Sequence, residues 1–212
     1  MVRKIALFGA SGKIGSEFLK VALAHGLEVR ALARTPGKIR YEDSKLEVIK
    51  GDVLNFDDVY NTIKGADIVV SLFGQVKSSP KDLQTKGTTN IVKAMKIEGT
   101  ERIISLSGGG LPFPEKDQPK FPDRLIKFIM KIAVPQVLED AENHAEVLKE
   151  SGLNWTIIRG PRLTEEPRKG EYRVGWVGVN ASTKIGRADL ADFILSEIEK
   201  DNFTHQMPFV SY

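Results

Sequence analysis

A chain of 212 residues with no cysteine and a net charge of +3, from 31 Lys and Arg against 28 Asp and Glu, has room for one well-buried domain and is marginal for two. Without thiols it has no disulfide, thiolate metal site, iron–sulfur ligation or thiol nucleophile, so redox chemistry would need a borrowed cofactor. Its basic residues are interleaved with acids, as in Lys45/Glu47 and Glu197/Lys200, which argues against nucleic acid, and no apolar run approaches the roughly 20 residues that span a bilayer.

The N-terminal "MVRKIALFGA" passes from a basic pair into a short strand with no long apolar leader, so the expected location is cytoplasmic. The strand "KIALFG" (4–9) runs into "ASGKIGSEFLK", where Gly9, Gly12 and Gly15 recur every three residues before a helical pattern of Ile14, Phe18, Val21 and Ala22. Glycine inside an element costs roughly 0.5–1 kcal/mol relative to alanine, so three this close need a local reason. Strand, glycine turn and helix in that order make a phosphate cradle, because the helix N-terminus offers unsatisfied N–H groups and the positive end of its dipole. Gly9 would make the tight turn, Gly12 the close approach to a pyrophosphate and Gly15 the helix–strand contact, with the Ser11 hydroxyl and the Lys13 cation beside the same phosphates. Gly9, Ser11, Gly12, Lys13, Ile14 and Gly15 together are the expected dinucleotide-binding turn.

The second strand, "LEVRALA" (27–33), ends at "ALART" with Arg34 at its tip and Lys38 close behind. A carboxylate there would bind the ribose 2′-hydroxyl of NAD, whereas a guanidinium fork suits a 2′-phosphate, so NADP is expected in preference to NAD. Glu28 lies at the opposite end of that strand. Further runs at "LEVIKG" (46–51), "DIVVSLF" (67–73), "RIISLS" (102–107) and "NWTIIRG" (154–160) alternate with helical patterns such as Ile91, Ala94, Met95 and Ala141, Ala145, Leu148. Strands alternating with helices imply right-handed crossovers and a parallel sheet covered on both faces. The expectation is a single doubly wound α/β domain of Rossmann type over 1–212, without internal repeats.

The segment 108–136, "GGGLPFPEKDQPKFPDRLIKFIMKIAVPQ", replaces a short loop after the fifth strand. Glycines and prolines make it irregular before an apolar helical run of Leu125, Ile126, Phe128, Ile129 and Ile132. Such a segment reads as a hydrophobic substrate lid or as a helix packed on the body or on a second subunit, with a membrane surface disfavoured by its shortness. His144 lies on the helix "LEDAENHAEVLKESG", whose N-terminal part would face the nicotinamide, and could donate a proton there, but its charged neighbours favour a solvated helix residue; His25 and His205 read as structural. Three scattered histidines and no acidic pair at ligand spacing give no expected metal site.

Taken in order and spacing, "FGASGKIG", the arginine ending "ALAR", "GDVLNFDDV" (51–59), "IVVSLFG" (68–74), "GTTNIVKAMK" (87–96), "LKESGLNWTIIRGP" (148–161) and "GRADLADFIL" (186–195) resemble the NAD(P)-binding, NmrA-like branch of the atypical short-chain dehydrogenase/reductases. Within it the chain is most similar to the biliverdin IXβ reductase/flavin reductase group, over essentially its whole length. The resemblance implies an adenine-contacting pair at Asp52 and Val53, and a backbone passing the cofactor's ribose at Leu72, Phe73 and Gly74. It also implies a hydroxyl near the nicotinamide at Ser107 and a proline lining the nicotinamide pocket at Pro161. On the residues alone, Asp52 is equally a turn former or helix cap.

The chain departs from the wider superfamily at the Tyr-x-x-x-Lys pair on the helix after the fifth strand, whose positions hold Leu138 and Glu142. The spacings Tyr41/Lys45 and Tyr60/Lys64 fall on the adenosine half of the sheet and read as coincidental. Without that pair no catalytic residue is identified, and delivery of a proton to a carbonyl is disfavoured. A flavin or linear tetrapyrrole can draw its proton from solvent. The expected activity is therefore NADPH-dependent reduction of an aromatic or conjugated small molecule by a monomer or small homo-oligomer that binds neither nucleic acid nor membrane. The alternative is an NADP(H)-sensing regulatory protein that binds a protein partner without turnover. A sugar-nucleotide epimerase is disfavoured by the missing pair and by the short stretch after the sixth strand.

Overall fold

The computed structural model describes residues 3–76 and 78–212. The apolar runs form β1 (Lys4–Phe8), β2 (Glu28–Ala33), β3 (Leu46–Lys50), β4 (Ile68–Ser71), β5 (Arg102–Gly108) and β6 (Asn154–Gly160). Between and after them lie α1 (Lys13–Ala24), α2 (Phe56–Ile63), α3 (Leu83–Glu98), α4 (Phe121–Ala133) and α5 (Pro135–Lys149). Short strands β7 (Arg162–Thr164), β8 (Arg173–Gly175) and β9 (Lys184–Gly186) precede α6 (Arg187–Lys200) and β10 (Phe209–Ser211). The main sheet has the order β3-β2-β1-β4-β5-β6-β10-β8, parallel throughout except for the antiparallel β10–β8 pair, and β7 pairs with β9 apart from it.

Alternation along the strands builds a core on each face. On one side Ile5 and Leu7 of β1 pack with Phe18 and Leu19 of α1 and with Leu190 and Ile194 of α6. On the other, Ala6 and Phe8 meet Val59 of α2, Ile91 and Met95 of α3, and Leu148 of α5. A central parallel sheet buried on both faces is the doubly wound arrangement, and its carboxyl edge collects the turns after β1, β2, β4, β5 and β6.

Two local departures from the sequence reading have plain causes. The crossover from β2 to β3 holds only a 3-10 turn at Pro36–Lys38 in place of an α-helix, since Pro36 and Gly37 interrupt any helical run. Strand β4 ends at Ser71, two residues before its apolar run does. Leu72 still donates to the Phe8 carbonyl at 2.8 Å, after which the chain leaves the sheet.

Candidate functional site

The β1–α1 turn is built by close backbone approach. Gly9 has φ +90°, and a Cβ there would lie 2.6 Å from the Phe73 nitrogen and 2.7 Å from the Leu72 carbonyl carbon. Glycine is therefore required twice over, by conformation and by the departing end of β4. The Gly12 N–H donates to the Gly9 carbonyl at 3.0 Å, and a Cβ on Gly15 would fall 2.1 Å from that same oxygen. Gly12, the N-cap of α1, has no side chain to satisfy the helix's first N–H groups. A Cβ at Gly12 would meet only the Gly9 oxygen, at 3.2 Å, so its outer side is open. Exposed N–H groups on an open, positively polarised helix end suit an anion.

That turn forms one wall of a cleft of about 180 Å³ at the carboxyl edge. The cleft brings together nine of the residues expected from sequence: Gly9, Ser11, Gly12, Arg34, Asp52, Val53, Leu72, Phe73 and Gly74. Arg34, exposed at the tip of β2, makes no ion pair among the described residues. Asp52 is a turn former here: its carboxylate accepts from the Leu54 N–H at 3.0 Å and its own N–H donates to Asp58 at 2.9 Å. Asn55 caps α2, accepting from the N–H groups of Asp57 and Asp58. A larger cleft, of about 520 Å³, opens at the opposite edge near Arg102, but that guanidinium is already paired with Glu197 at 3.2 Å and Asp201 at 2.9 Å.

Five expected residues lie outside the smaller cleft. Ile14 is buried in the core, leaving only its backbone N–H for a ligand. Gly15 packs on the turn itself. Lys13 is engaged by Glu165 at 2.5 Å, with Arg187 at 3.5 Å from the same carboxylate oxygen, and these two cations hold Glu165 below the usual carboxylate range. Ser107 and Pro161 stand on β5 and just after β6, where Ser107 pairs in register with Arg159. The Ser107 hydroxyl is buried with no hydrogen-bond partner among the described residues. A buried hydroxyl without a partner is rare and is suited to a ligand that completes it.

His144 corrects the reading of a solvated histidine. It is 1% exposed, and its Nε2 shares a hydrogen bond of 2.9 Å with Ser105 Oγ on β5. Burial pushes its pKa down to about 4, against the opposing pull of the nearby Ala141 carbonyl and Asp140 carboxylate. The folded state thus excludes a proton that the unfolded chain accepts near pH 6.5, and stability falls as pH drops from about 6.5 towards 4. The full effect is on the order of 3 kcal/mol. In a denaturant series at stepped pH, His144→Gln is expected to flatten the curve between pH 6.5 and 5, and a slope that survives the substitution would place its origin elsewhere.

Asp140 lies one turn before His144 on α5. It is 2% exposed and caps α3 from another element, accepting from the N–H groups of Gln84 and Thr85, each at 2.9 Å, and from the Thr85 hydroxyl at 2.6 Å. It also accepts from the Gln75 side chain at 2.8 Å, which ties the chain just past Gly74 to α5. A signal was present: Asp140, His144 and Leu148 recur every four residues, on the stripe flanked by Ala141 and Ala145. Leu138 on the same helix is buried, lying where a Cβ on Gly110 would meet it at 2.7 Å, while Glu142 is exposed.

Arg159 and Asp117 were also missed. Arg159 is 0% exposed and grips Asp117 with two nitrogens, at 2.7 and 2.8 Å. Asp117 further accepts from the N–H groups of Phe113, at 2.7 Å, and Val177, at 3.0 Å. This pair pins the loop after β5 onto β6. The segment then enters α4, none of whose residues is fully buried and which meets the body through Asp123, Lys127 and Met130 on one side. Among the described residues no cluster of His, Asp or Glu could hold a metal ion, and no helix is long and apolar enough to cross a membrane.

A family model described as NAD(P)H-binding matches residues 9–201. The Bacillus subtilis protein YwnB, itself described as uncharacterized, is 29% identical over 210 residues, covering 92% of both chains. Among solved structures, a short-chain dehydrogenase/reductase from Veillonella parvula in complex with NADP is similar with a TM-score of 0.81 at 20% identity, over 100% of this chain and 95% of that one. ChuY, an anaerobilin reductase from Escherichia coli O157:H7, is similar with a TM-score of 0.78 at 19% identity, over 99% and 97%. At such identities the two structures demonstrate a shared fold.

Proposed function

Because the chain belongs to the NAD(P)H-binding family, we propose that it is an NADPH-dependent reductase of a conjugated small molecule of the flavin or bilin kind. The observation that carries this reading is the cleft that joins the open helix N-terminus behind Gly12 to the guanidinium of Arg34, which has no ion pair among the described residues. The turn would hold the pyrophosphate through backbone N–H groups, and Arg34 would hold the 2′-phosphate that distinguishes NADPH from NADH. Ser107 would give its unsatisfied hydroxyl to the carboxamide or the acceptor, while Val53, Leu72 and Phe73 flank the adenosine half. Bound NADPH supplies a hydride, and with one solvent proton this balances a two-electron reduction. The position that the resemblance assigns to the superfamily's tyrosine carries Leu138, an apolar side chain, so the reading takes no proton from it. Two neighbours of the same fold, one an NADP complex and one an anaerobilin reductase, support the reading at the level of architecture.

A second reading, an NADP(H) sensor that binds a partner without turnover, draws on the exposed apolar face of α4. One experiment separates the two: NADPH consumption with FMN, riboflavin and a bilin offered separately, beside direct binding. Turnover with any acceptor supports the reductase, and tight binding without turnover supports the sensor. Arg34→Ala is expected to weaken NADPH binding about 10–100-fold, as for loss of charge-assisted hydrogen bonds, and to leave NADH nearly unchanged. Equal losses for both nucleotides would sink the 2′-phosphate assignment.

A further inference from the structure

An ordinary surface helix turns its apolar stripe to the core, and α4 does the reverse. Phe121, Leu125, Phe128, Ile129 and Ile132 lie along one side of it and are 47–78% exposed. The half-buried residues are Asp123, Lys127 and Met130, with Met130 reaching the backbone at Gly110. Ile126 widens the exposed stripe, and Val134 and Val137 extend it past the junction with α5.

We propose that this face docks a second copy of the chain, the two α4 helices packing against one another about a two-fold axis. Area is the first argument. Large apolar side chains present roughly 200 Å² each when fully exposed, so these fractions leave on the order of 800 Å² uncovered. That matches the roughly 800 Å² that one partner contributes to a standard interface, and exceeds the roughly 300–600 Å² of the largest patch on a typical monomer.

Charge is the second argument, and it selects a copy of this chain over a lipid surface. Lys120, Arg124, Lys127 and Lys131 against Asp123 give the segment 120–131 a charge of +3, four minus one, equal to that of the whole chain. The exposed side of α5, which follows at once, carries Glu139 and Glu142, with Glu146 beyond them already paired to Lys149 at 2.9 Å. A two-fold pairing is self-complementary, so one copy's cations can face the other's acids. An anionic bilayer would attract the first row and repel the second. This inference stands apart from the reductase reading, since it concerns a surface outside the nucleotide cleft.

The test is sedimentation of the full chain over a concentration series reaching about 100 µM. A species of twice 23.5 kDa is expected for the wild type. Phe128→Glu and, separately, Ile132→Glu are expected to raise the dimer dissociation constant at least about 100-fold, with unchanged circular dichroism and NADPH binding. A wild type that stays monomeric throughout overturns the proposal, as does a dimer indifferent to both substitutions. A monomer that co-sediments with phosphatidylserine vesicles would overturn it in favour of a lipid surface.

Discussion

Asp117→Ala is expected to lower the unfolding free energy by about 3–5 kcal/mol, the usual result of removing one partner from a buried ion pair. The substitution leaves the Arg159 guanidinium charged at 0% exposure, between the rings of Phe113 and Phe209 at 5.9 and 5.8 Å, with only the Leu111 and Met207 carbonyls, each at 2.8 Å, to receive its protons. It also strands the N–H groups of Phe113 and Val177, which Asp117 now accepts. A single domain of this kind has roughly 5–15 kcal/mol in all, so the loss is visible as a large drop in denaturant midpoint. The paired variant Asp117→Leu/Arg159→Met, which removes both charges, should recover much of it. A loss below about 1 kcal/mol in the single variant would mean that water reaches the guanidinium.

Gly15→Ala is expected to raise the NADPH dissociation constant more than about 100-fold and to destabilise the fold as well, because the new Cβ meets backbone. Its neighbours would be the Gly9 oxygen at 2.1 Å and the Ala10 Cα at 2.8 Å, and neither can swing aside as a flexible side chain does. The turn must shift, and with it the N–H groups that face the cleft. Gly12→Ala makes the contrast. There the only contact is the Gly9 oxygen at 3.2 Å, so the fold should stay within about 1 kcal/mol while the methyl group occupies the space proposed for the pyrophosphate. Calorimetric titration with NADPH, beside denaturation of both variants, reads the two effects separately. Comparable affinity losses without any stability difference would remove the distinction between a packing glycine and a ligand-facing one.

Both predictions rest on contacts of different legibility. The glycine spacing, the arginine ending β2 and the six apolar runs are local signals: a period of two or of 3.6 residues and a turn composition are written within a few neighbouring positions. They sufficed for the doubly wound sheet and for Gly9, Ser11, Gly12 and Arg34, while Asp52, Val53, Leu72, Phe73 and Gly74, which the folded chain gathers into the same cleft, came from the family resemblance. The short strands β7 to β10 escaped because three residues carry too little periodicity.

Sequence by itself determined the architecture, the family and the place of the glycine turn between β1 and α1, since each follows from the order of local patterns. Tertiary structure alone decided that Arg159 closes on Asp117 across 42 positions, that Asp140 caps a helix 55 positions away, and that His144 is buried against Ser105. Those pairings join residues far apart in the chain, and desolvation in a folded interior, rather than anything in the local sequence, makes each of them consequential. The same holds for α4: its amphipathic pattern was legible, but which way the apolar side faces depends on what the rest of the chain leaves beneath it.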